Sequence, residues 1–191
     1  MIIKTFTDVL TKEVAIQLEK KFMTHLSSKT LSEKSCIYVC GSIGSGKTTI
    51  IKQRFVKEYP DHYYFSSDCI LRQIGELTTV TDVAVLYTNA KIASKYLTDY
   101  LLESKKSFII EGTGSNIDIC PFLQKLRLDG YHVKVFYMKT PLEECIRRAI
   151  ERNEKVTHKI PIEIIGDMYN ILWKTNMAQI SECADETDFF E

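Results

Sequence analysis

A chain of 191 residues, 45% of them apolar, is long enough to bury one core and too apolar to be disordered. Twenty-five basic residues balance twenty-five acidic ones, which argues against a bulk binder of nucleic acid or of anionic membrane and leaves room for a local basic site. No run of about 18 apolar residues predicts a transmembrane helix, and the amphipathic start MIIKTFTDVLTKEVAIQLEKKF is too charged for a secretory signal.

Taken along the chain, Val9, Leu10, Val14, Ile16, Leu18, Phe22 and Leu26 recur at helical spacing, and SKTLSEK is a polar connector, so residues 1–34 read as an N-terminal helix and its linker. SCIYVC is a short apolar run that predicts a buried first strand. It feeds glycines, then the helix KTTIIKQRFVKEY. HYYFSS predicts a second strand, with a short helix from Asp68, and TDVAVLYTNAKIASKYLTDYLLESK a long helix capped by Thr81. SFIIEG is a third strand, DICPFLQKLRLDG a helix stopped by Gly130, and YHVKVFYM a fourth strand. PLEECIRRAIERN opens with Pro141 at the first helical position. After the polar EKVTHKI, Pro161 opens a last helix through about Ser181, and TDFFE forms a fifth strand. Strands alternating with helices predict an α/β fold with a parallel sheet covered on both faces, and no linker divides the chain, so residues 1–191 are expected to be one domain. Right-handed crossovers on both sheet faces, taken with the family resemblance given below, predict the strand order 2-3-1-4-5. The six cysteines (Cys36, Cys40, Cys69, Cys120, Cys145, Cys183) form no C-x-x-C pair. Cys36 and Cys40 share one predicted strand and lie about 13 Å apart. Reduced buried thiols in a cytoplasmic protein are expected.

Between the first strand and its helix, Gly41-Ser42-Ile43-Gly44-Ser45-Gly46-Lys47-Thr48 fits G-x-x-x-x-G-K-[ST], the P-loop. A triphosphate needs many donors close together. The glycines let the backbone aim N–H groups inward, and the helix start adds the positive end of its dipole. Lys47 is expected on the β- and γ-phosphates of ATP, Thr48 on Mg²⁺, and Thr49 follows in the same nucleotide-binding turn. GTPase and transporter signatures (N-K-x-D, L-S-G-G-Q) are absent from the sequence, and the third strand ends FIIEGTG instead of Asp-Glu. A kinase for a small molecule or a polynucleotide is the main reading.

Such a kinase needs a base, an acceptor pocket and a cationic lid. Asp68, after the second strand and at the carboxyl end of the sheet, is the candidate base; as the alternative, it is a helix N-cap. Arg72, one turn after Asp68, is a candidate to pin the acceptor or to pair with Asp68; the alternative is a solvated helix charge. Glu111 and Thr113, in the glycine-flanked turn EGTG, offer a carboxylate and a hydroxyl to the acceptor, or Glu111 to a Mg²⁺ water. Residues 147–160 form the lid candidate, carrying Arg147, Arg148, Arg152, Lys155 and Lys159. Arg148 and Arg152 share one helix face and would meet the transferring phosphate; the alternative is a solvated face with Glu144–Arg148 and Glu151–Lys155 pairs. His158 reads as positional.

GSIGSGKTT, the second-strand Asp, IIEGTG, LRLDGYHVKVFYM and ERNEKVTHKIPIEIIGDMYNILWKTN occur in the order and spacing of zeta-toxin-like kinases, and the chain resembles that family over nearly its whole length. The resemblance implies an ATP-dependent kinase that phosphorylates UDP-N-acetylglucosamine or a related UDP-sugar, and an antitoxin partner covering the nucleotide site. It gives Lys47 and Thr48 the ATP and Mg²⁺ contacts, Asp68 the role of base, Glu111 and Thr113 the acceptor, and Arg148 and Arg152 the phosphates. Val156-Thr157 stands where many relatives carry two glycines, and Arg72 follows Asp68 by four residues where three is common. The rivals are a kinase for another acceptor (a polynucleotide 5′-hydroxyl, an antibiotic or a dinucleotide) and a non-enzymatic nucleotide-binding module.

Overall fold

The computed structural model describes residues 33–71, 83–155 and 159–190, with the backbone alone at 83–87. The expected N-terminal helix, Arg72, Thr81 and the stretch 156–158, including His158, lie outside the described residues. Strand β1 (Ser35–Cys40) leads into helix α1, which is α-helical over Lys47–Ile50, π-helical over Ile51–Phe55 and α-helical again over Val56–Glu58. Strand β2 (Tyr63–Phe65) precedes α2, which starts at residue 67 and is described to residue 71. There follow α3 (Val83–Glu103), β3 (Phe108–Gly112), α4 (Ile119–Leu128), β4 (His132–Met138) and α5 (Leu142–Asn153). Helix α6 runs over Glu163–Asn170, a π-helical turn Ile171–Asn176 and Met177–Glu182, and β5 (Glu186–Phe190) closes the series.

The five strands form one sheet in the order β2-β3-β1-β4-β5, with every pairing parallel, as the crossover argument predicts. Alternation along β1 explains why it is buried on both faces. Cys36, Tyr38 and Cys40 join one apolar cluster with Phe108, Val133, Val135, Tyr137 and residues of α3, α4 and α6. Ile37 and Val39 join the other, with Ile51 and Phe55 of α1, Ile109, Phe136 and Met138. A central parallel strand with no solvent face needs this continuous apolar run. All six cysteines are free thiols.

Several boundaries move by a residue or two for local reasons. Pro141 is the N-cap of α5 and not its first helical residue; its carbonyl accepts the Cys145 N–H at 3.0 Å. Gly130, at φ +79°, ends α4 as expected, and Tyr131 N–H returns to the Leu126 carbonyl at 2.9 Å. The two π-helical turns have no sequence signal in the apolar pattern and were not expected.

Candidate active site

The β1–α1 loop wraps at the carboxyl end of the central strand, where Gly41 N–H donates to the Gly112 carbonyl at 3.2 Å. That bond ties the P-loop to the EGTG turn on the neighbouring strand. Gly44 has φ +81°, and a Cβ there would run into the backbone of Cys145 on α5, so only glycine permits this approach of loop to helix. Ser42, Ile43 and Ser45 anchor the loop from outside. The Ser42 hydroxyl donates to the Ile165 carbonyl at 3.4 Å, Thr140 donates to the Ser45 carbonyl at 2.9 Å, and Ile43 packs against Cys145, Ala149 and Ile165. The Ser45 hydroxyl itself is buried without a hydrogen-bond partner among the described residues.

Lys47 Nζ donates to the carbonyls of Gly41 and Ser42, both at 2.8 Å. Burial pushes its ammonium pKa down, and the charges of Glu111 and Asp68 pull it back up. Thr48 begins the solvent-facing side of α1, with Thr49 beside it. The Thr48 hydroxyl lies 2.9 and 3.1 Å from the two Glu111 carboxylate oxygens. Glu111 also accepts a hydrogen bond from Tyr64 at 2.8 Å. Burial first, and then the Glu111 charge, push the Tyr64 phenol far up, so its hydroxyl is a donor. Thr48 and Glu111 supply hard oxygen donors side by side. Such a pair suits Mg²⁺ shared with phosphate oxygens, because Mg²⁺ takes one or two protein ligands and keeps the rest of its shell from substrate and water. Among the described residues no group of three or more His, Cys, Asp or Glu forms a separate metal cage.

Helix α2 bears on the cap reading of Asp68. Ser66 is the cap: its hydroxyl accepts the Cys69 N–H at 3.1 Å, and its carbonyl accepts the Ile70 N–H at 3.0 Å. Asp68 sits in the first turn, half exposed, with its carboxylate 3.0 Å from Arg152 Nη2. The residue expected as base and one expected in the lid therefore meet across 84 positions of chain.

Arg148 lies over the P-loop. A Cβ on Gly46 would be 3.5 Å from Arg148 Nη1, and Arg148 Nε donates to Glu144 at 2.6 Å. Arg147 bonds Glu144 and Glu151, so Glu151 pairs with Arg147 and not with the Lys155 expected from spacing. Arg147 and Arg148 together hold the Glu144 carboxyl down to about 2. Asn153, next to Arg152, grips the backbone of Ile160 through two bonds, Nδ2 to the carbonyl at 2.7 Å and Oδ1 from the N–H at 2.8 Å.

The Thr113 hydroxyl faces Ser115 Oγ at 2.7 Å, within its own turn. The turn is held from both sides at Gly114. Tyr38 OH accepts its N–H at 3.1 Å, and Asn176 Nδ2 donates to its carbonyl at 2.8 Å. Of these supports, Tyr38, Tyr64 and Ser66 carried no motif, while Asn153 and Asn176 lie in the stretch 151–176 but were given no role there. Tyr38, Tyr64 and Asn176 find their partners through the fold, Asn153 finds its own seven residues on, and the place of Ser66 just before a helix with Asp in its first turn is a readable cap signal.

A five-stranded parallel sheet in this order, with a P-loop after β1, a carboxylate beside the P-loop threonine and arginines over the loop, defines an ATP-dependent phosphotransferase of the P-loop kinase class. Residues 20–190 match the sequence profile of the Zeta toxin family, and the chain belongs to that family. No curated protein matches it in sequence. Among solved structures, a chain of the PezAT chromosomal toxin–antitoxin system of Streptococcus pneumoniae superposes with a TM-score of 0.79 at 20% identity, over 100% of this chain and 80% of that one. A chain of the AvrRxo1-ORF1:AvrRxo1-ORF2 complex superposes at 0.65 and 14% identity, over 88% of this chain and 54% of that one. A chain of the Pnkp1/Rnl/Hen1 RNA repair complex gives 0.59 at 18%, over 79% and 48%. At these identities the likenesses concern the fold. No described helix is long and apolar enough to cross a membrane.

Proposed function

We propose that the protein transfers the γ-phosphate of ATP to a sugar hydroxyl of UDP-N-acetylglucosamine or a related UDP-sugar, in the cytoplasm, and that an antitoxin protein restrains it. The observation that carries the reading is the meeting of Asp68 and Arg152 at 3.0 Å beside the P-loop. It sets a carboxylate able to take the acceptor's proton next to a cation able to meet the transferring phosphate. In this mechanism the P-loop N–H groups and Lys47 hold the β- and γ-phosphates, and Arg148 and Arg152 offset the charge that spreads over the equatorial oxygens. Thr48 and Glu111 would hold Mg²⁺, which supplies Lewis-acid neutralisation of the phosphate oxygens when bound. Asp68 accepts the proton of the attacking hydroxyl. Arg72 and Thr113 complete the proposed acceptor side. Zero net charge and a merely local excess of cations in the expected lid favour a small acceptor over a nucleic-acid strand. Membership of the Zeta toxin family supports the kinase chemistry, and through the resemblance the UDP-sugar, while the likeness to a chain of a toxin–antitoxin system supports the antitoxin.

The test offers ATP with UDP-N-acetylglucosamine, and separately with 5′-hydroxyl oligonucleotides, and looks by mass spectrometry for the gain of one phosphate. Phosphate on the sugar nucleotide, lost in Lys47→Ala, is the expected result. Label on the oligonucleotide alone would replace this reading by a polynucleotide kinase.

A further inference from the structure

We infer that Tyr64 is a positioning residue for phosphoryl transfer: its hydroxyl holds the Glu111 carboxylate against Thr48 and so commits Glu111 to the metal side of the triphosphate instead of the acceptor. The inference rests on the kinase reading above.

Strand β2 has three residues, and their burial alternates. Tyr63 and Phe65 face the cluster beneath α3, and Tyr64 packs on the opposite cluster with Ile51, Phe55 and Ile109. In the parallel register Tyr64 pairs with Ile109. Glu111 is two residues further along β3, so its side chain emerges on the same face as Tyr64. Helix α1 covers that face and brings Thr48 down onto it. Oε1 of the carboxylate therefore takes the Tyr64 hydroxyl at 2.8 Å and lies 3.1 Å from that of Thr48, and Oε2 lies 2.9 Å from Thr48.

An apolar β-branched residue would fill the middle of β2 as well as a tyrosine does. What the phenol adds is reach: it spans from β2 past Ile109 to the end of β3. A free glutamate side chain loses rotamer freedom when it is fixed. With Tyr64 bonded to it, Glu111 has that freedom restricted before any ligand arrives, with its oxygens already beside the P-loop hydroxyl. Tyr64 thus occupies Oε1 of the Glu111 carboxylate, and Oε2 is left facing the Thr48 hydroxyl. That free acceptor capacity is where Glu111 and Thr48 together would hold a cation.

The test uses Mn²⁺ as the probe with a non-hydrolysable ATP analogue, read by electron paramagnetic resonance, on the wild type and Tyr64→Phe, alongside steady-state kinetics with the identified acceptor. Tyr64→Phe keeps the ring and removes the hydroxyl. Its Mn²⁺ affinity should fall about tenfold or more, the usual effect of losing a partner that orients a ligand. Its affinity for the analogue in excess chelator and its KM for the acceptor should stay unchanged, while kcat falls. Unaltered Mn²⁺ affinity in Tyr64→Phe overturns the inference. So does a raised acceptor KM with Mn²⁺ affinity intact, because Glu111 would then serve the acceptor. If Tyr64→Phe does not fold, Glu111→Gln, which keeps the side-chain shape, must weaken Mn²⁺ binding in the same way, and failure to do so is equally fatal. Absence of any Mn²⁺–nucleotide binding by the wild type removes the kinase reading itself, and this inference with it.

Discussion

Ser66 and Asp68 stand two residues apart and divide two tasks that either side chain is chemically able to do. A serine at the cap satisfies an amide that the helix leaves orphaned, and the aspartate is released to face Arg152. Ser66→Ala should therefore cost about 1 kcal/mol of stability, seen as a lower denaturant midpoint, while the transfer rate per folded molecule changes little. Asp68→Asn should do the reverse. Its half-exposed ion pair contributes little to stability, but an amide cannot take a proton, so transfer should drop by about 10²–10⁴-fold with ATP binding retained. A rate above about a tenth of the wild type in a single-turnover assay would remove Asp68 from the role of base. The candidate status of Asp68 was legible because its place at the carboxyl end of a strand is a rule of the fold class. Tyr64 was not legible. A tyrosine in a strand is ordinary core material, and its partner Glu111 is 47 positions away.

At the scale of elements, β1 does more than end in the P-loop. Tyr38, buried in its middle, sends its hydroxyl to Gly114 and so supports the EGTG turn from beneath. Gly114 has φ +71°, and a Cβ there would strike Cys40 Sγ and Leu172, so the turn has no room to shift. Tyr38→Phe leaves the Gly114 N–H buried without its acceptor. Stability should fall by about 1–3 kcal/mol, measured as a lower urea midpoint at unchanged slope. An unaltered midpoint would mean that the turn does not depend on the tyrosine. The strands themselves were plain in the sequence, since short apolar runs bounded by glycines and polar stretches admit few other readings. The supports between them were not, because a side chain crossing from β1 to the β3 turn, or from α6 to the same turn, leaves no periodicity behind. The π-helical turns stayed hidden for a related reason: one extra residue in a turn leaves the apolar pattern close to 3.6.

For the whole molecule, the order of the strands followed from handedness together with the family likeness, and the gathering of P-loop, Asp68 and EGTG at one end of the sheet followed from the parallel topology. What topology does not dictate is the response to acid. His62, at the start of β2, is bonded to Ser35 Oγ at 2.6 Å, and burial holds its imidazole down to about 4, against 6.5 for the free group. Between those values the unfolded chain binds a proton that the folded one refuses. Stability should thus decline as pH falls from about 6.5 through 4. Glu144, held near 2 by Arg147 and Arg148, acts lower down: its contribution is present above 4.5 and is lost as pH falls toward 2. Urea midpoints followed from pH 7 to pH 4 should show the upper decline in the wild type and a flatter profile in His62→Gln. Equal slopes in the two would place the acid sensitivity elsewhere.

The π-helical turn Ile171–Asn176 delivers the Asn176 amide to the Gly114 carbonyl. Such a turn is an α-helix that has accepted one residue too many, and each residue of an α-helix turns the chain by about 100°. Loss of the codon for Lys174 or Thr175, both exposed, would therefore be absorbed as the turn relaxes to ordinary winding, and the later side chains of α6 would keep their directions. Asn176 would still face the turn it holds, and Ile180 would stay in the core. By this geometry an in-frame deletion is better tolerated at this turn than elsewhere in α6, which makes the turn the one place where the helix has length to spare.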